Sequence, residues 1–339
     1  MKRTVRLVDV AKRAGVGVGT ASRVLNNHPS VTEDKRRRVL AAIEEMDYQI
    51  NGIARSLKAN STKTIGVLIP DIANEFYAEV VRGMEDMARE QGYSYILSST
   101  DSNTQKELRA LSIMREKQVD GILMMSHTVA PEMLECIEHI ALPTVLVASG
   151  MSYPSVMSVD IDNRRAAYDA VAYLISLGHR SIAMVSGPAN DLNGGAARLA
   201  GYRDAMRDSG CTVPNEYVLV GTDYTYRTGF EAMEHLLALE KKPTAVFLAG
   251  DYMAIGAIKA AVGHGISVPG QMAVMGFDNL AVAPYSAPSL STVNQPRYQM
   301  GREAMRMLFC RIHGETLKQT NIVLPHELLC RQSTAAASK

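Results

Sequence analysis

From Thr64 onward the sequence repeats one pattern twice: short apolar runs of strand length, separated by longer stretches with helical spacing. The first series is Ile65-Gly66-Val67-Leu68-Ile69, Tyr93-Ser94-Tyr95-Ile96-Leu97, Gly121-Ile122-Leu123-Met124-Met125 and Thr144-Val145-Leu146-Val147, with helical stretches near 75–91, 103–118 and 131–139. The second is Ile182 to Ser186, Val218 to Val220, Ala245 to Leu248 and Ala273 to Gly276, again with helices between. Apolar residues in unbroken runs mark strands buried on both faces, as in parallel sheets covered by helices. Two doubly wound α/β lobes are expected, and such sheets take ligands beyond the carboxyl ends of their strands. Polar residues at those ends are the first candidate site: Asp71, Asn74, Ser126, Asp251 and Asp278. Asp251 is equally suited to cap the helix that follows its strand.

The first 63 residues are different. They carry 13 Lys and Arg against 6 Asp and Glu, a balance of +7, whereas the remaining 276 residues balance to −6, so the formal total of +1 hides a basic head on a mildly acidic body. A basic segment of this kind suits a polyanion, although a solvated basic face with no partner has the same composition. In the head, Leu7-Val8-Asp9-Val10-Ala11-Lys12-Arg13-Ala14 has helical spacing, Gly15 follows where a turn needs positive φ, and Thr20-Ala21-Ser22-Arg23-Val24-Leu25 restarts a helix. A helix-turn-helix places its second helix in the major groove while the first crosses the backbone. A third helix is expected after Thr32, a plausible N-cap, with Lys35 to Arg38 exposed and Val39, Ile43 and Met46 closing a three-helix core.

The run Asp9-Val10-Ala11…Ala14-Gly15-Val16…Ser22-Arg23-Val24-Leu25-Asn26, then Tyr48, then Ala54-Arg55-Ser56-Leu57, resembles the head and hinge of the lactose/galactose-repressor family. The hinge run through Lys58 is especially similar to that of purine repressors, and the resemblance continues almost to the C-terminus. It implies a transcriptional regulator, in the main a repressor, with a helix-turn-helix head at 1–50 and a hinge helix and linker at 51–63. The two-lobed body would have the periplasmic-binding-protein type I fold, one lobe formed by 64–161 plus 293–321 and the other by 162–292 plus 322–339. It also implies a cytoplasmic homodimer on a pseudo-palindromic operator, with no membrane contact and no cofactor.

On that resemblance Arg23 donates to guanine O6 and N7, while Thr20, Ser22 and Asn26 anchor phosphates. Val18 and Gly19 occupy the places that usually read the operator, and here they offer a thymine-methyl contact at most. Leu7 belongs with the DNA-facing set. Ala54, Leu57 and Lys58 fall in a short hinge helix, with Leu57 wedged into a base step of the minor groove or, alternatively, serving as an ordinary interdomain core leucine. In the body, Phe76 and Tyr77 face the cleft, Arg198 matches the arginine that anchors ligand in relatives, Tyr224 matches an aromatic that packs on the ligand ring, and Asp278 and Gln295 complete the polar set. Phe76 could equally fill the core. An arginine at a helix start gains nothing from the dipole, which favours an anionic or polyhydroxyl partner. Carboxylates, a planar guanidinium and an aromatic platform suit a sugar or nucleoside effector.

Other classes find little support. Cys136, Cys211, Cys310 and Cys330 form no CxxC pair, and the eight histidines show no metal-ligand spacing. Apolar runs are too short to cross a membrane, and Met1-Lys2-Arg3-Thr4 leads into no secretory apolar core. There is no GxSxG, GxxxxGK[ST] or GxGxxG after a strand, and Asp160 and Asp162 share a strand face without a partner acid, so no catalysis is expected.

Overall fold

The computed structural model describes residues 5–25, 28–48, 61–150 and 156–336, and the chain divides into two units, Met1–Thr62 and Lys63–Lys339. In the first unit three helices, Leu7–Arg13, Val18–Leu25 and Glu33–Glu45, close on Val10, Ala11, Ala14, Ala21, Val24, Val39 and Ala42. The small side chains Ala11 and Ala21, both essentially unexposed, let the first two helices approach closely. Gly15 turns the chain between them at φ +64°, a conformation a β-carbon disfavours. Thr32 stands at the N-cap position of the third helix, but its hydroxyl makes no capping bond. Arg36 is half-buried and donates to the carbonyl of His28 at 3.3 Å, leaving Lys35, Arg37 and Arg38 on the exposed face.

The second unit holds two six-stranded sheets. Strands β1 (Thr64–Ile69), β2 (Ser94–Ser99), β3 (Gly121–Met124), β4 (Thr144–Val147), β5 (Met157–Ile161) and β11 (Asn321–Leu324) form the first, in the order β11-β5-β4-β3-β1-β2. Strands β6 (Ile182–Ser186), β7 (Val218–Val220), β8 (Ala245–Leu248), β9 (Ala273–Asp278), β10 (Ser291–Asn294) and β12 (Glu327–Leu329) form the second, in the order β12-β10-β9-β8-β6-β7. All pairings are parallel except β10 with β12. Leu123, Val145, Val246 and Phe247 have no exposed surface, as expected for strands covered by helices on both faces.

The chain crosses between the lobes three times: after Ile161 at the end of β5, after Asn294 at the end of β10, and between Leu324 and Glu327. The last crossing lies beyond position 321, because residues 321–324 pair with β5 in the first sheet. The helix Arg297–Ile312 belongs to the first lobe and packs on the helix Glu75–Glu90. At that crossing a β-carbon on Gly83 would run into the carbonyl of Tyr298, and one on Gly301 into the carbonyl of Val80, so the two backbones touch.

Gly301→Val therefore overpacks this contact. Calorimetry should show the second unit melting several degrees earlier, corresponding to about 1–3 kcal/mol, with operator binding by the folded protein retained at low temperature. An unchanged melting temperature would show that the helices can separate without loss.

Candidate functional site

The outward face of the helix Val18–Leu25 carries Val18, Gly19 and Arg23 exposed and Thr20 and Ser22 half-buried, while Ala21 and Val24 point into the core. Among the described residues nothing beyond its own helix lies within 4 Å of the place a β-carbon on Gly19 would take, so this part of the helix presents bare backbone. Leu7 is half-buried at the start of the first helix, and Lys12, Arg13, Lys35, Arg37 and Arg38 are exposed elsewhere on the head. Asn26, Ala54, Leu57 and Lys58 lie outside the described residues.

In the body, the carboxyl ends of both sheets meet at a cleft lined by Asn74, Phe76, Tyr77, His127, Ala148, Asn163, Asp191, Asn193, Gly194, Arg198, Tyr224, Asp278 and Gln295. The first-lobe wall begins where Asn74 caps the helix Glu75–Glu90, its side chain accepting from the Phe76 amide at 2.9 Å. That cap presents the two rings of the first turn, Phe76 and Tyr77, packed edge to face at 5.3 Å. The Tyr77 hydroxyl meets His127 Nε2 at 2.8 Å, and Ser102 Oγ meets His127 Nδ1 at 3.1 Å. Burial raises the Tyr77 hydroxyl, with Asp191 and Asp278 adding to the shift, and it pushes the His127 imidazole down.

The second-lobe wall starts at Asp191, which accepts from the amides of Asn193 and Gly194 at 3.0 and 2.8 Å and from the Tyr224 hydroxyl at 2.5 Å. A π-helical turn, Leu192–Ala197, runs from there directly into the helix Arg198–Asp208. Arg198 thus sits within a continuous helical path and not at a free helix start, so the dipole argument for an anionic partner loses its footing. Its Nε donates to Asn163 Oδ1 at 2.9 Å and its Nη1 to the Ala249 carbonyl at 2.6 Å, with Asp278 Oδ1 3.7 Å away. The guanidinium lies 3.7 Å from the Phe277 ring centre. Asp278 accepts from Gln295 Nε2 at 2.6 Å, and burial raises its carboxyl against the pull of Arg198 and Arg297.

Seven of the ten residues expected at the cleft line it: Asn74, Phe76, Tyr77, Arg198, Tyr224, Asp278 and Gln295. Three stand elsewhere. Asp251 is sealed beneath the wall with 0% exposure, its oxygens taken by the Thr292 hydroxyl at 2.6 Å and the Leu280 amide at 2.7 Å. Ser126 is buried, donating to the Thr128 carbonyl at 2.9 Å, and Asp71 is exposed, accepting from the Ala73 amide at 2.9 Å. His127, Asn163, Asp191 and Asn193 were not anticipated, although each follows a strand end within a few residues, where the strand-end rule would have found them.

The cleft holds a cavity of only about 50 Å³, well below the roughly 300–1,000 Å³ of a usual ligand pocket. A larger cavity of about 680 Å³ lies at the amino ends of β4 and β5, lined by Leu142, Met157, Arg311 and Leu317 among others. The strand-end cleft is the better site because buried polar groups from both lobes converge on it, as they do in ligand pockets. Among the described residues, no group of three or more His, Cys, Asp or Glu is placed to hold a metal ion, and no helix is long and apolar enough to cross a membrane.

Residues 6–51 match the family described as bacterial regulatory proteins, lacI family, and residues 171–334 match the periplasmic binding protein-like domain. The chain is 44% identical over 330 residues to catabolite control protein A of Priestia megaterium, covering 97% of this chain and 99% of that one. Among solved structures, it is similar to the lac repressor dimer bound to operator and the anti-inducer ONPF, with TM-score 0.90, 26% identity and coverage of 98% and 100%. It is also similar to the transcriptional regulator CelR in complex with cellobiose, with TM-score 0.75, 34% identity and coverage of 97% and 99%.

The depressed His127 sets a pH dependence with a definite sign. An ordinary imidazole titrates near 6.5 in the unfolded chain, and the buried one titrates lower. Stability that depends on neutral His127 is therefore present above 6.5 and lost as pH falls through the folded value. Between about pH 7.5 and 5.5 the wild-type body should lose stability relative to His127→Gln, measured by denaturant unfolding at each pH. Parallel curves for the two proteins would remove His127 from the buried wall.

Proposed function

Because the chain belongs to the lacI family of bacterial regulatory proteins, and so is a DNA-binding transcriptional regulator with an effector-binding sensor, we propose that its cleft takes a neutral polyhydroxyl effector and its head reads an operator mainly through Arg23. The observation that carries the effector class is the pair Arg198 and Asp278. Arg198 Nη2 and Asp278 Oδ2 make no hydrogen bond among the described residues, although both side chains are held in place by their other atoms. A donor beside an acceptor suits adjacent hydroxyls. Two cleft carboxylates, Asp191 and Asp278, stand against one guanidinium, a balance that disfavours a phosphorylated ligand. Phe76, Tyr77 and Tyr224 supply apolar faces for a ring. The similarity to a regulator solved with cellobiose points the same way. A nucleoside, with its ribose hydroxyls, is the second class that fits this set.

The protein acts in the cytoplasm without catalysing a reaction, as two copies on a pseudo-palindromic site, as the lac repressor dimer does on its operator. Head 1–50 and hinge 51–63 lead directly into β1. On this reading Leu57, in the hinge run Ala54 to Lys58, enters the minor groove of the operator. Effector binding in a cavity this small needs the lobes to part and close again, and the coupling of that motion to operator affinity is reciprocal.

Two measurements test this. Operator selected from random duplex should bind wild type at least tenfold better than unselected DNA. Arg23→Ala should lose that preference while keeping salt-sensitive binding, because phosphate contacts remain; discrimination equal to wild type would remove Arg23 from base readout. For the effector, calorimetry against neutral mono- and disaccharides, nucleosides and sugar phosphates should find a neutral ligand. Arg198→Ala should weaken its binding by about 2–4 kcal/mol, a loss of roughly 30- to 1000-fold. Binding of sugar phosphates alone would overturn the ligand class.

A further inference from the structure

Strand β5 ends in a carboxylate that the effector reading leaves without a role. Asp160 is 1% exposed, and four N–H groups converge on it. Its Oδ2 accepts from the Gly150 amide at 2.9 Å and Asn193 Nδ2 at 2.8 Å. Its Oδ1 accepts from its neighbour Ile161 at 2.7 Å and Asn163 Nδ2 at 3.3 Å. Asn193 and Asn163, the first residue of the helix Asn163–Ser176, belong to the second lobe, and the rest belong to the first. Asn163 Nδ2 also approaches Asn193 Oδ1 at 3.2 Å, so the oxygen of Asn163 is left to receive Arg198 Nε at 2.9 Å.

The sense of this relay is fixed from one end. An ionised carboxylate can only accept, so both amides must turn their NH₂ groups toward it. Asn163 then has only an oxygen to offer Arg198, which can only donate. Were the carboxylate replaced by a group that donates, Asn163 could reverse and set its own donors against the guanidinium.

We propose that Asp160 is a positioning residue for the effector anchor: it sets the orientation of Asn163 and Asn193, aims the Arg198 guanidinium through Asn163, and ties β5 of the first lobe to the turn Leu192–Ala197 of the second. The inference rests on the cleft being the effector site, but not on which effector occupies it. Burial pushes the Asp160 carboxyl up to about 6, against the pull of the Gly150 and Ile161 amides, Asn193 and Arg198. Arg198 is the charged group that favours its ionised form. Beyond Arg198 stand Asp191, Tyr224 and Asp278 of the second lobe and Tyr77 and His127 of the first. Protonation near that value turns one acceptor into a donor, and the relay loses its sense.

The test uses the full-length protein without any effector and follows the Nε–Hε signal of Arg198 in ¹⁵N-labelled protein, assigned by its loss in Arg198→Lys. In wild type at about pH 7.5 this proton should be protected from solvent exchange. Its protection relative to free arginine at the same pH should fall at least tenfold on acidification, with a midpoint near 6. In Asp160→Asn, protection should already be lost at pH 7.5 and should not titrate. Asn193 is only half-buried, so Asn193→Ala tests the relay at small risk to folding. It removes one donor from the carboxylate, so the midpoint should move upward while Arg198 stays protected at high pH. A wild-type signal that does not titrate, an Asp160→Asn protein that keeps Arg198 protected, or an unchanged midpoint in Asn193→Ala would each overturn the proposal. Failure of the effector screen bears on the reading of the cleft and leaves these outcomes unaffected.

Discussion

The closed cleft depends on satisfying one buried guanidinium. Arg198 is 6% exposed, and an unpaired charge at such depth costs several kcal/mol. Its partners are Asn163, the Ala249 carbonyl, Asp278 and the face of Phe277. They stand at or just beyond the carboxyl ends of three strands: Asn163 after β5, Ala249 after β8, Phe277 and Asp278 at the end of β9. No single loop could supply this set. Parallel sheets bring the same end of every strand to one edge, which is why groups so distant in sequence can converge on one cation.

The strand order explains how two lobes built this way can move. β5 and β11 lie together at one edge of the first sheet, and β10 and β12 at one edge of the second. All three crossings leave from these edge strands, so the covalent connections run along one side of the body while the Arg198 cluster lies between the strand ends. Bending at Asp162, Gln295, Pro296, Pro325 and His326 can open the cleft without breaking a strand pairing. Asp162 and His326 also bind their surroundings. Asp162 caps the helix Asn163–Ser176 through the Arg165 amide, and His326 meets Asp169 of that helix at 3.0 Å.

Much of this was legible in the sequence, and the gaps have physical causes. The head's three helices and the first four strands of each series were legible because buried strands and amphipathic helices leave strong periodic signals. β10 and β12 were not, because Ser291-Thr292-Val293-Asn294 and Glu327-Leu328-Leu329 are short and partly polar, and their pairing depends on partners far along the chain. Asp251 was misplaced by the rule that otherwise succeeded: it does follow the end of β8, but Thr292 and Leu280 close over it from elements that sequence proximity does not reveal. Asp160 carried the opposite problem. The sequence put Asp160 and Asp162 on one strand face without a partner acid, whereas β5 ends at Ile161 and Asp162 caps the next helix; the partners of Asp160 are amides and backbone N–H groups, which leave no spacing pattern.

An effector controls closure only through its differential affinity for the two arrangements. Beyond the bonds from Asn163 and Asn193 to Asp160, the lobes are joined by the Ala281 amide donating to Glu75 at 2.6 Å, by Arg297 Nη2 donating to the Asn279 carbonyl at 2.8 Å, and by the Thr128 hydroxyl donating to the Asn190 carbonyl. Each such bond contributes about 1 kcal/mol net, more where a charge is involved. Arg297 offsets part of that gain. It is 5% exposed, and although Glu79 pairs with its Nη2 and Glu75 lies 3.9 Å from its Nη1, its Nε and Nη1 have no hydrogen-bond partner among the described residues, which is a cost of burying them. A ligand that prefers one arrangement by about 3 kcal/mol shifts the population more than a hundredfold, and one that binds both equally shifts nothing. Arg198 and Asp278 of the second lobe face Phe76 and Tyr77 of the first across the cleft, so a ligand held by both walls supplies that preference.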